Sequence, residues 1–396
     1  MEKRVKIVLK SGKDISVRRL HPWIFSGAIK KVYGNPIEGE IVNVYDNKDE
    51  FLGQGHYNDG SIAIRLTDFE EVEINAKYWE RKIEKAWNYR LKNGFSFEGE
   101  TNVFRLIHGE GDNLPGLIID YYNGVAVIQA HSIGMFKAQN EIVEALKKVL
   151  GSNLKSIYSK SKSTLPGNMQ NISEDGLLFG SAGKNHFVLE NGLKFFVDWE
   201  KGQKTGFFVD QRENRKLVGE MSRNRKVLNV FGYTGGFSVY AIKGEAELVH
   251  TVDSSAGAIE LTDKNVEMNF SGDSRHKSFC VDAFEFLENM EEDYDIVILD
   301  PPAFAKHQNV LHNALQGYKR LNLKALQKMK SGSFLFTFSC SQVVTKENFR
   351  KSVFAAATQC GKTVRIMYQL SQPIDHPVNI FHPESEYLKG LVLYIE

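Results

Sequence analysis

The rhythm of apolar and polar positions changes twice along this chain. Short apolar runs at 5–9, 40–45, 51–57 and 61–66 are separated by Gly-, Asn- or Asp-containing breaks and predict strands of a small β-rich domain over residues 1–72. Tyr78, Trp79, Ile83, Ala86, Trp87, Tyr89 and Leu91 then recur at helical spacing, predicting an amphipathic helix from Asn75. Strands at 104–107, 117–121 and 124–129 and a helix at 135–150 follow, so 73–188 reads as an α+β linking module. From 189 to 396 the pattern is strand-length apolar runs alternating with helical segments, the signature of βαβ units and a mainly parallel sheet. Seven strands are expected there, at 226–231, 248–253, 278–282, 295–300, 333–339, 364–370 and 388–395. Leu311, Leu315, Tyr318, Leu321, Ala325 and Met329 mark a crossover helix between the fourth and fifth. The fold class is therefore multidomain: a β-rich barrel, an α+β module and a seven-stranded α/β domain.

Composition narrows the class. The 396 residues are 42% hydrophobic and 25% charged, which excludes a disordered, collagenous or coiled-coil chain. A net charge of +1 makes any nucleic-acid role a matter of local patches. One such patch is residues 1–31, where nine Lys or Arg meet only Glu2 and Asp14 and are interleaved with His21, Trp23 and Phe25. Lys155, Lys160 and Lys162 stand in an acid-free stretch, 151–170, that reads as an exposed basic loop or a linker. The Gly- and acid-rich turn at 109–116 reads as a plain connection. Cys280, Cys340 and Cys360 form no CxxC pair, which argues against a disulfide framework or a cysteine-rich zinc site and suits a reducing cytoplasm; no metal is expected. No run approaches the length of a membrane span, so the expected location is cytoplasmic.

The chemistry clusters at the expected strand ends of the last domain. The first strand runs into Phe231-Gly232-Tyr233-Thr234-Gly235-Gly236, a glycine-rich turn that lets the backbone bend sharply toward a ligand. Asp253, about twenty residues on, ends the second strand where a carboxylate accepts from a ribose diol, and Ser254 follows it. Asp282, at the end of the third, is placed to accept from an adenine amine, and it also suits an N-cap before Ala283. The fourth strand stops at Asp300-Pro301-Pro302-Ala303-Phe304, since proline cannot extend a central ladder. In this order the motifs resemble the Rossmann-like S-adenosylmethionine-dependent methyltransferases. The usual strand order of that class makes the fourth and fifth strands neighbours, which would bring Asp300 beside Cys340, the residue that follows the fifth strand. A thiolate there suits addition to carbon 6 of cytosine, which turns carbon 5 into an enamine able to attack a methyl sulfonium, while Asp300 stabilises the adduct at N3 or the 4-amino group. Cys280, placed mid-strand, and Cys360, in a helix-like region, are expected to be packed thiols.

Nearly the whole chain is similar to one family within that class, the bacterial and archaeal 23S ribosomal RNA cytosine-5 methyltransferases that join a PUA domain to a methyltransferase domain. His21-Pro-Trp-Ile-Phe-Ser-Gly27, Gly53-Gln-Gly-His-Tyr-Asn58 and Ile62-Ala-Ile-Arg65 resemble the PUA part. Gly202-Gln-Lys-Thr-Gly-Phe-Phe-Val-Asp-Gln-Arg212 resembles the segment that lines the cofactor site, which implies cofactor contacts by Lys204, Thr205, Phe207, Asp210, Gln211 and Arg212. Asp300 to Phe304 and Phe338-Ser-Cys-Ser341 match the family's fourth and sixth motifs, implying Cys340 as nucleophile and Pro301, Pro302, Phe304 and Lys306 on the substrate side. The implied cofactor is S-adenosylmethionine and the implied partner 23S rRNA, with RNA binding steeply dependent on salt. Enzymes of this type can pair, so a homodimer is an open expectation. Asp300-Pro301-Pro302 lacks the second cysteine that better-known RNA cytosine-5 methyltransferases carry beside the proline, which leaves the group that assists C5 proton removal and enzyme release unassigned. Two other readings stay open: methylation of a guanine nitrogen, with Phe304 stacking on the base, and a non-catalytic RNA-binding factor. The loop 375–386, stiffened by two His-Pro steps, reads equally as a substrate-side wall or as plain rigidity.

Overall fold

The computed structural model of the chain describes residues 4–167, 173–181, 186–305 and 307–396. Lys306 lies outside the described residues. The chain forms two compact units: one of residues 1–189, 197–209 and 374–385, the other of 190–196, 210–373 and 386–396. The β-rich and α+β modules expected separately thus share the first unit, which also takes in two segments expected in the last domain.

In the first unit, strands β1 (Val5–Leu9), β2 (Trp23–Phe25), β3 (Ile29–Tyr33), β4 (Ile41–Tyr45), β5 (Phe51–Tyr57) and β6 (Ile62–Asp68) form a six-stranded sheet in the order β2-β6-β5-β4-β1-β3. Ile7, Leu9, Val42, Val44 and Ile64 are its fully buried centre. β2 and β3 do not stand out in the sequence pattern, because β2 is only three residues long and β3 carries two lysines. The helix Ala76–Lys92 starts where expected, with Asn75 accepting from the Tyr78 amide at 3.1 Å. Strands β7 (Val103–His108), β8 (Leu117–Tyr122), β9 (Val125–Ala130), β10 (Ser156–Ser159) and β11 (Gly176–Gly180) make the second sheet, ordered β11-β10-β9-β8-β7. The single helix expected at 135–150 is two, Ile133–Lys137 and Gln139–Leu150.

The stretch 151–170 differs most from expectation. Its centre is β10, paired in parallel with β9, and Lys160 is buried, its Nζ donating to the carbonyls of Trp199 (2.6 Å) and Gly202 (2.5 Å). A lysine whose hydrogen bonds all go to backbone carbonyls can be buried, and sequence alone does not reveal such partners. Lys155 and Lys162 are exposed. The turn Gly109–Asp112, expected to be a plain connection, anchors its surroundings. Asp112 receives the guanidinium of the fully buried Arg90, and Glu110 accepts from the Trp23 indole at 2.8 Å. Asp375 in the 374–385 segment accepts from the Arg105 amide at 2.9 Å, and its carbonyl receives Arg90 Nη2 at 2.8 Å.

Strands β12 (Phe187–Glu190) and β13 (Leu193–Phe196) form a two-stranded hairpin. The second unit is built on a seven-stranded sheet: β14 (Lys226–Val230), β15 (Leu248–Asp253), β16 (His276–Cys280), β17 (Ile296–Leu299), β18 (Phe334–Ser339), β19 (Val364–Leu370) and β20 (Lys389–Ile395). Their order is β16-β15-β14-β17-β18-β20-β19, parallel but for β20, which runs antiparallel to both neighbours. Leu228, Val230, Val297, Leu299 and Leu335 face Tyr318, Leu321 and Ala325 of the crossover helix Leu311–Lys328 in one core. Among the described residues no helix is long and apolar enough to cross a membrane.

Candidate active site

The order reverses beside β14: the chain moves from β14 outward through β15 to β16, then returns to β17 on the other side. Ligands of open α/β sheets bind at the carboxyl edge there. After β14 the backbone makes its turn with two side-chain-bearing residues at positive φ, Phe231 (63°) and Tyr233 (46°), and Gly235 at 74°. This conformation is costly for L-residues and is held from outside. The Tyr233 amide donates to Asp253 Oδ2 (3.0 Å), while the carbonyls of Tyr233 and Thr234 accept from Thr262 (2.9 Å) and Asn265 (2.8 Å) on the helix Ala256–Asn269. The glycines answer to this packing: a Cβ on Gly232 would overlap Thr251 Cγ2, one on Gly235 would sit 2.7 Å from Thr262 Cγ2, and one on Gly236 2.9 Å from Arg215 Cδ. Close approach of the turn to the protein's own side chains is what excludes larger residues.

Asp253, at the end of β15, also accepts from the Ser255 amide (2.9 Å), and Ser254 is exposed beside it. Asp282 caps the helix Ala283–Glu288 through Oδ1, which accepts from the Phe284 (2.8 Å) and Glu285 (3.1 Å) amides, with the residue itself exposed and Ala283 buried. Cys280 is exposed at the end of the edge strand β16, so the expectation of a packed thiol fails there: an edge strand has no neighbour to cover it. Cys360 is half-buried at the end of its helix.

β17 and β18 are hydrogen-bonded in parallel, Leu299 opposite Thr337, so Asp300 and Cys340 leave adjacent strands at the same edge. Cys340 is half-buried, and its loop is tied down on both sides. Ser339 donates to the Tyr318 hydroxyl at 2.9 Å, which lies 3.0 Å from Ser341 Oγ, and Ser341 Oγ in turn accepts from the Ala305 amide at 3.3 Å. The loop after Asp300 and the loop of Cys340 thus share one buried tyrosine. Pro301 is buried and Pro302 exposed. The Phe304 ring lies 4.6 Å from that of Tyr318 and against Gly317, so it serves this anchor.

Asp300 is held by Gln211, whose Nε2 donates to Oδ2 at 3.0 Å and whose Oε1 accepts from Asn214 at 2.6 Å. Burial pushes the Asp300 carboxyl up to about 7, the Asp210 charge adds to the rise, and Gln211 and Arg215 oppose it. Asp210 accepts from the Tyr387 hydroxyl at 2.6 Å on Oδ2, whereas its buried Oδ1 has no hydrogen-bond partner. Arg212 is buried with Nε 3.1 Å from Glu213. Lys204, Thr205 and Phe207 belong to the first unit, where the Thr205 hydroxyl donates to Asp120 (2.6 Å) and lies 2.8 Å from the Tyr122 hydroxyl, and Phe207 is buried.

One residue escapes the sequence reading. Lys389, first in β20 and opposite Ser339, is buried and donates through Nζ to the Ser341 carbonyl at 2.6 Å. Burial pushes its ammonium down to about 8, against the opposing pull of Cys340 and Glu386. The available signal is a lysine opening an otherwise apolar terminal strand.

A sequence profile described as S-adenosylmethionine-dependent methyltransferase matches residues 104–351. The chain belongs to that methyltransferase family. A PUA-like domain profile matches residues 7–69. Among curated relatives of this methyltransferase, the chain is 37% identical to the ribosomal RNA large subunit methyltransferase I of Alteromonas mediterranea and 36% identical to that of Tolumonas auensis, with 98% of each chain covered in both cases. Its fold is that of a Streptococcus mutans protein described as a SAM-dependent methyltransferase (TM-score 0.84, 23% identity, 98% and 99% of the two chains covered) and of a methyltransferase, SMU.776, complexed with SAH (TM-score 0.85, 24%, same coverage). The residues present fit S-adenosylmethionine as cofactor. The unsatisfied Asp210 Oδ1 is an acceptor suited to a cationic amino group, Asp253 ends the strand after the glycine turn, and Asp282 carries an oxygen not used by its cap.

Proposed function

We propose that this methyltransferase forms 5-methylcytosine in 23S ribosomal RNA in the cytoplasm, with Cys340 as nucleophile and Asp300 as the proton-handling group. The observation that carries the reading is the adjacency of β17 and β18, which send a half-buried thiol and a carboxyl of raised pKa from the same sheet edge. The relatives named for the ribosomal RNA large subunit support the substrate, and the PUA-like domain supports an RNA.

When bound, S-adenosylmethionine supplies an electrophilic methyl group; the chain must make carbon 5 nucleophilic. Cys340 Sγ adds as a thiolate to C6, the S–C6 bond forms, and the displaced π pair makes C5 an enamine carbon. Asp300, protonated up to about 7, gives its proton to N3 and so neutralises the charge that addition would leave on the ring. The Lys389 ammonium, near enough to Cys340 to feel its charge, favours the thiolate. After methylation the C5 proton is relayed to solvent, its C–H pair re-forms the C5–C6 double bond, the S–C6 bond breaks with its pair returning to Cys340 Sγ as thiolate, and the N3 proton returns to Asp300. Phe304, packed on Tyr318, is engaged away from the stacking role that base-nitrogen methylation would give it.

The target base must be unstacked to reach Sγ, while positive residues hold the backbone. Of the basic residues near the N-terminus, Arg18 is paired with Asp14, Asp46 and Glu50 and Lys6 with Asp49, so phosphate contacts fall to other residues, with Phe25 exposed among them. Incubation with RNA carrying 5-fluorocytosine tests the chemistry, because fluorine cannot leave as a cation and the adduct persists. A stable protein–RNA adduct that Cys340→Ala abolishes is expected. Active enzyme that gives no adduct, or a Cys340→Ala variant that still methylates, would overturn the proposal.

A further inference from the structure

Outside the methyltransferase site, three ligand atoms from distant parts of the sequence converge within the first unit. His21 lies just before β2; His382 and Glu384 lie in the 374–385 segment. We propose that His21, His382 and Glu384 bind a divalent transition-metal ion, zinc in the first instance, which clips that segment to the PUA-like domain.

Glu384 Oε2 is 3.5 Å from His21 Nε2 and 3.7 Å from His382 Nε2, and all three atoms lie within 4.8 Å of one another. These separations exceed good hydrogen-bonding distances. They approach the spacing of roughly 3.4 Å between ligands on a tetrahedral ion at ~2.0–2.1 Å. His382 is 1% exposed, and its Nε2 is buried without a hydrogen-bond partner. A buried nitrogen aimed at two other ligand atoms and bonded to none is an unfilled acceptor position.

The far side of the His382 ring is arranged as a metal-bound histidine requires. His382 Nδ1 is 2.7 Å from Ser385 Oγ, while His21 Nδ1 accepts from the Trp23 amide at 3.2 Å and has the Trp23 carbonyl 3.3 Å away. Donation from His382 Nδ1 to Ser385 leaves the His382 Nε2 lone pair facing the cluster, and His21 joins as a ligand in the tautomer whose Nδ1 donates to the Trp23 carbonyl instead of accepting from the amide. The Trp23 ring, 4.3 Å from that of His382, walls the cluster, while Glu384, with its side chain 46% exposed, leaves a way in for the ion and for water as fourth ligand.

Two imidazoles and one carboxylate suit zinc better than magnesium or calcium, which prefer all-oxygen sets, and the lack of sulfur disfavours softer ions. Binding would close a loop over most of the chain's length and stabilise the first unit by mass action. No short motif announces the site, because its ligands are brought together only by folding.

The test is titration of the full-length, chelator-stripped chain with zinc chloride by calorimetry, with cobalt(II) as a visible-absorption probe of tetrahedral geometry. One zinc per chain and a rise in melting temperature on loading are expected. Glu384→Gln, at an exposed side chain and so compatible with folding, should weaken binding at least about tenfold. His382→Asn should abolish both the binding and the thermal shift. Absence of stoichiometric binding by the wild type, or an affinity unchanged in Glu384→Gln, would overturn the site. Should His382→Asn unfold, His21→Asn replaces it, and undiminished zinc binding by that variant would equally overturn the site.

Discussion

Replacing Asp300 by Asn should make the protein more stable and less active, by an amount that depends on pH. In the fold the carboxyl stays protonated up to about 7 against an ordinary 3.8, chiefly because it is buried and secondarily because Asp210 lies close. Folding therefore takes up a proton between those two values, and the folded state loses stability as pH rises through that window. Three units at ~1.4 kcal/mol each give a ceiling of about 4 kcal/mol at pH 8. The half-buried side chain retains some hydration, which brings the expectation nearer ~2 kcal/mol. Asn keeps the shape and the contact with Gln211 but never ionises. For a unit of this size, each ~1 kcal/mol corresponds to about 2–4 °C, so thermal unfolding at pH 8 should show Asp300→Asn melting about 4–8 °C higher, with the gap closing toward pH 4. Methyl transfer should fall at the same time, since the amide cannot deliver the proton. A variant destabilised at pH 8, or a difference independent of pH, would refute the raised carboxyl and with it the acid role of Asp300.

The other expectations rest on single contacts. Arg215 and Glu190 form a buried bidentate pair (2.8 and 2.7 Å) that Tyr240 completes at 3.0 Å, so Arg215→Met should cost ~3–5 kcal/mol in denaturant unfolding, and adding Glu190→Gln should recover part of it. Gly232→Ala should cost roughly 1–3 kcal/mol and weaken S-adenosylmethionine binding; Thr251→Ser, which removes the Cγ2 in the way and keeps the hydroxyl that meets Ser238, should restore both. Lys389→Met should slow alkylation of Cys340 at neutral pH by roughly tenfold, read by mass spectrometry of the Cys340 peptide so that exposed Cys280 does not confuse it. Equal rates would remove the charge support for the thiolate.

Much of the second unit is legible because its signals are local. All seven strands stand within a few residues of their expected places; β14, β17, β18 and β20 are buried on both faces and so read as apolar runs, and the half-exposed edge strands β16 and β19 are bounded by turn residues. Their order carries more than the runs themselves: the expectation that Asp300 and Cys340 leave neighbouring strands follows from it, and β17 and β18 are indeed paired. The first unit is less legible where pairing overrides local pattern. β3 carries two exposed lysines and reads as surface, and Lys160 sits in a polar stretch that becomes buried only because Trp199 and Gly202 bring carbonyls to it.

The same division explains which site residues could be foreseen. Asp253, Asp282 and Asp300, the proposed site acids, stand where a strand stops or within two residues of it, and a stop is written in consecutive residues. Gln211 matters because it donates to Asp300, and Lys389 because β20 runs antiparallel beside β18 and sets it opposite Ser339. Such roles belong to pairs, and the partner lies 89 or 50 positions away. This bears on the missing second cysteine. A site with a carboxyl poised near neutrality on one strand and an amine pushed down to about 8 on the next but one has two groups that can exchange protons close to physiological pH. On the proposed cytosine-5 mechanism both are candidates for the work that a second thiol does elsewhere: adduct release whose pH dependence shifts in Asp300→Asn or in Lys389→Met would assign it to that residue, and release unchanged in both would exclude the two.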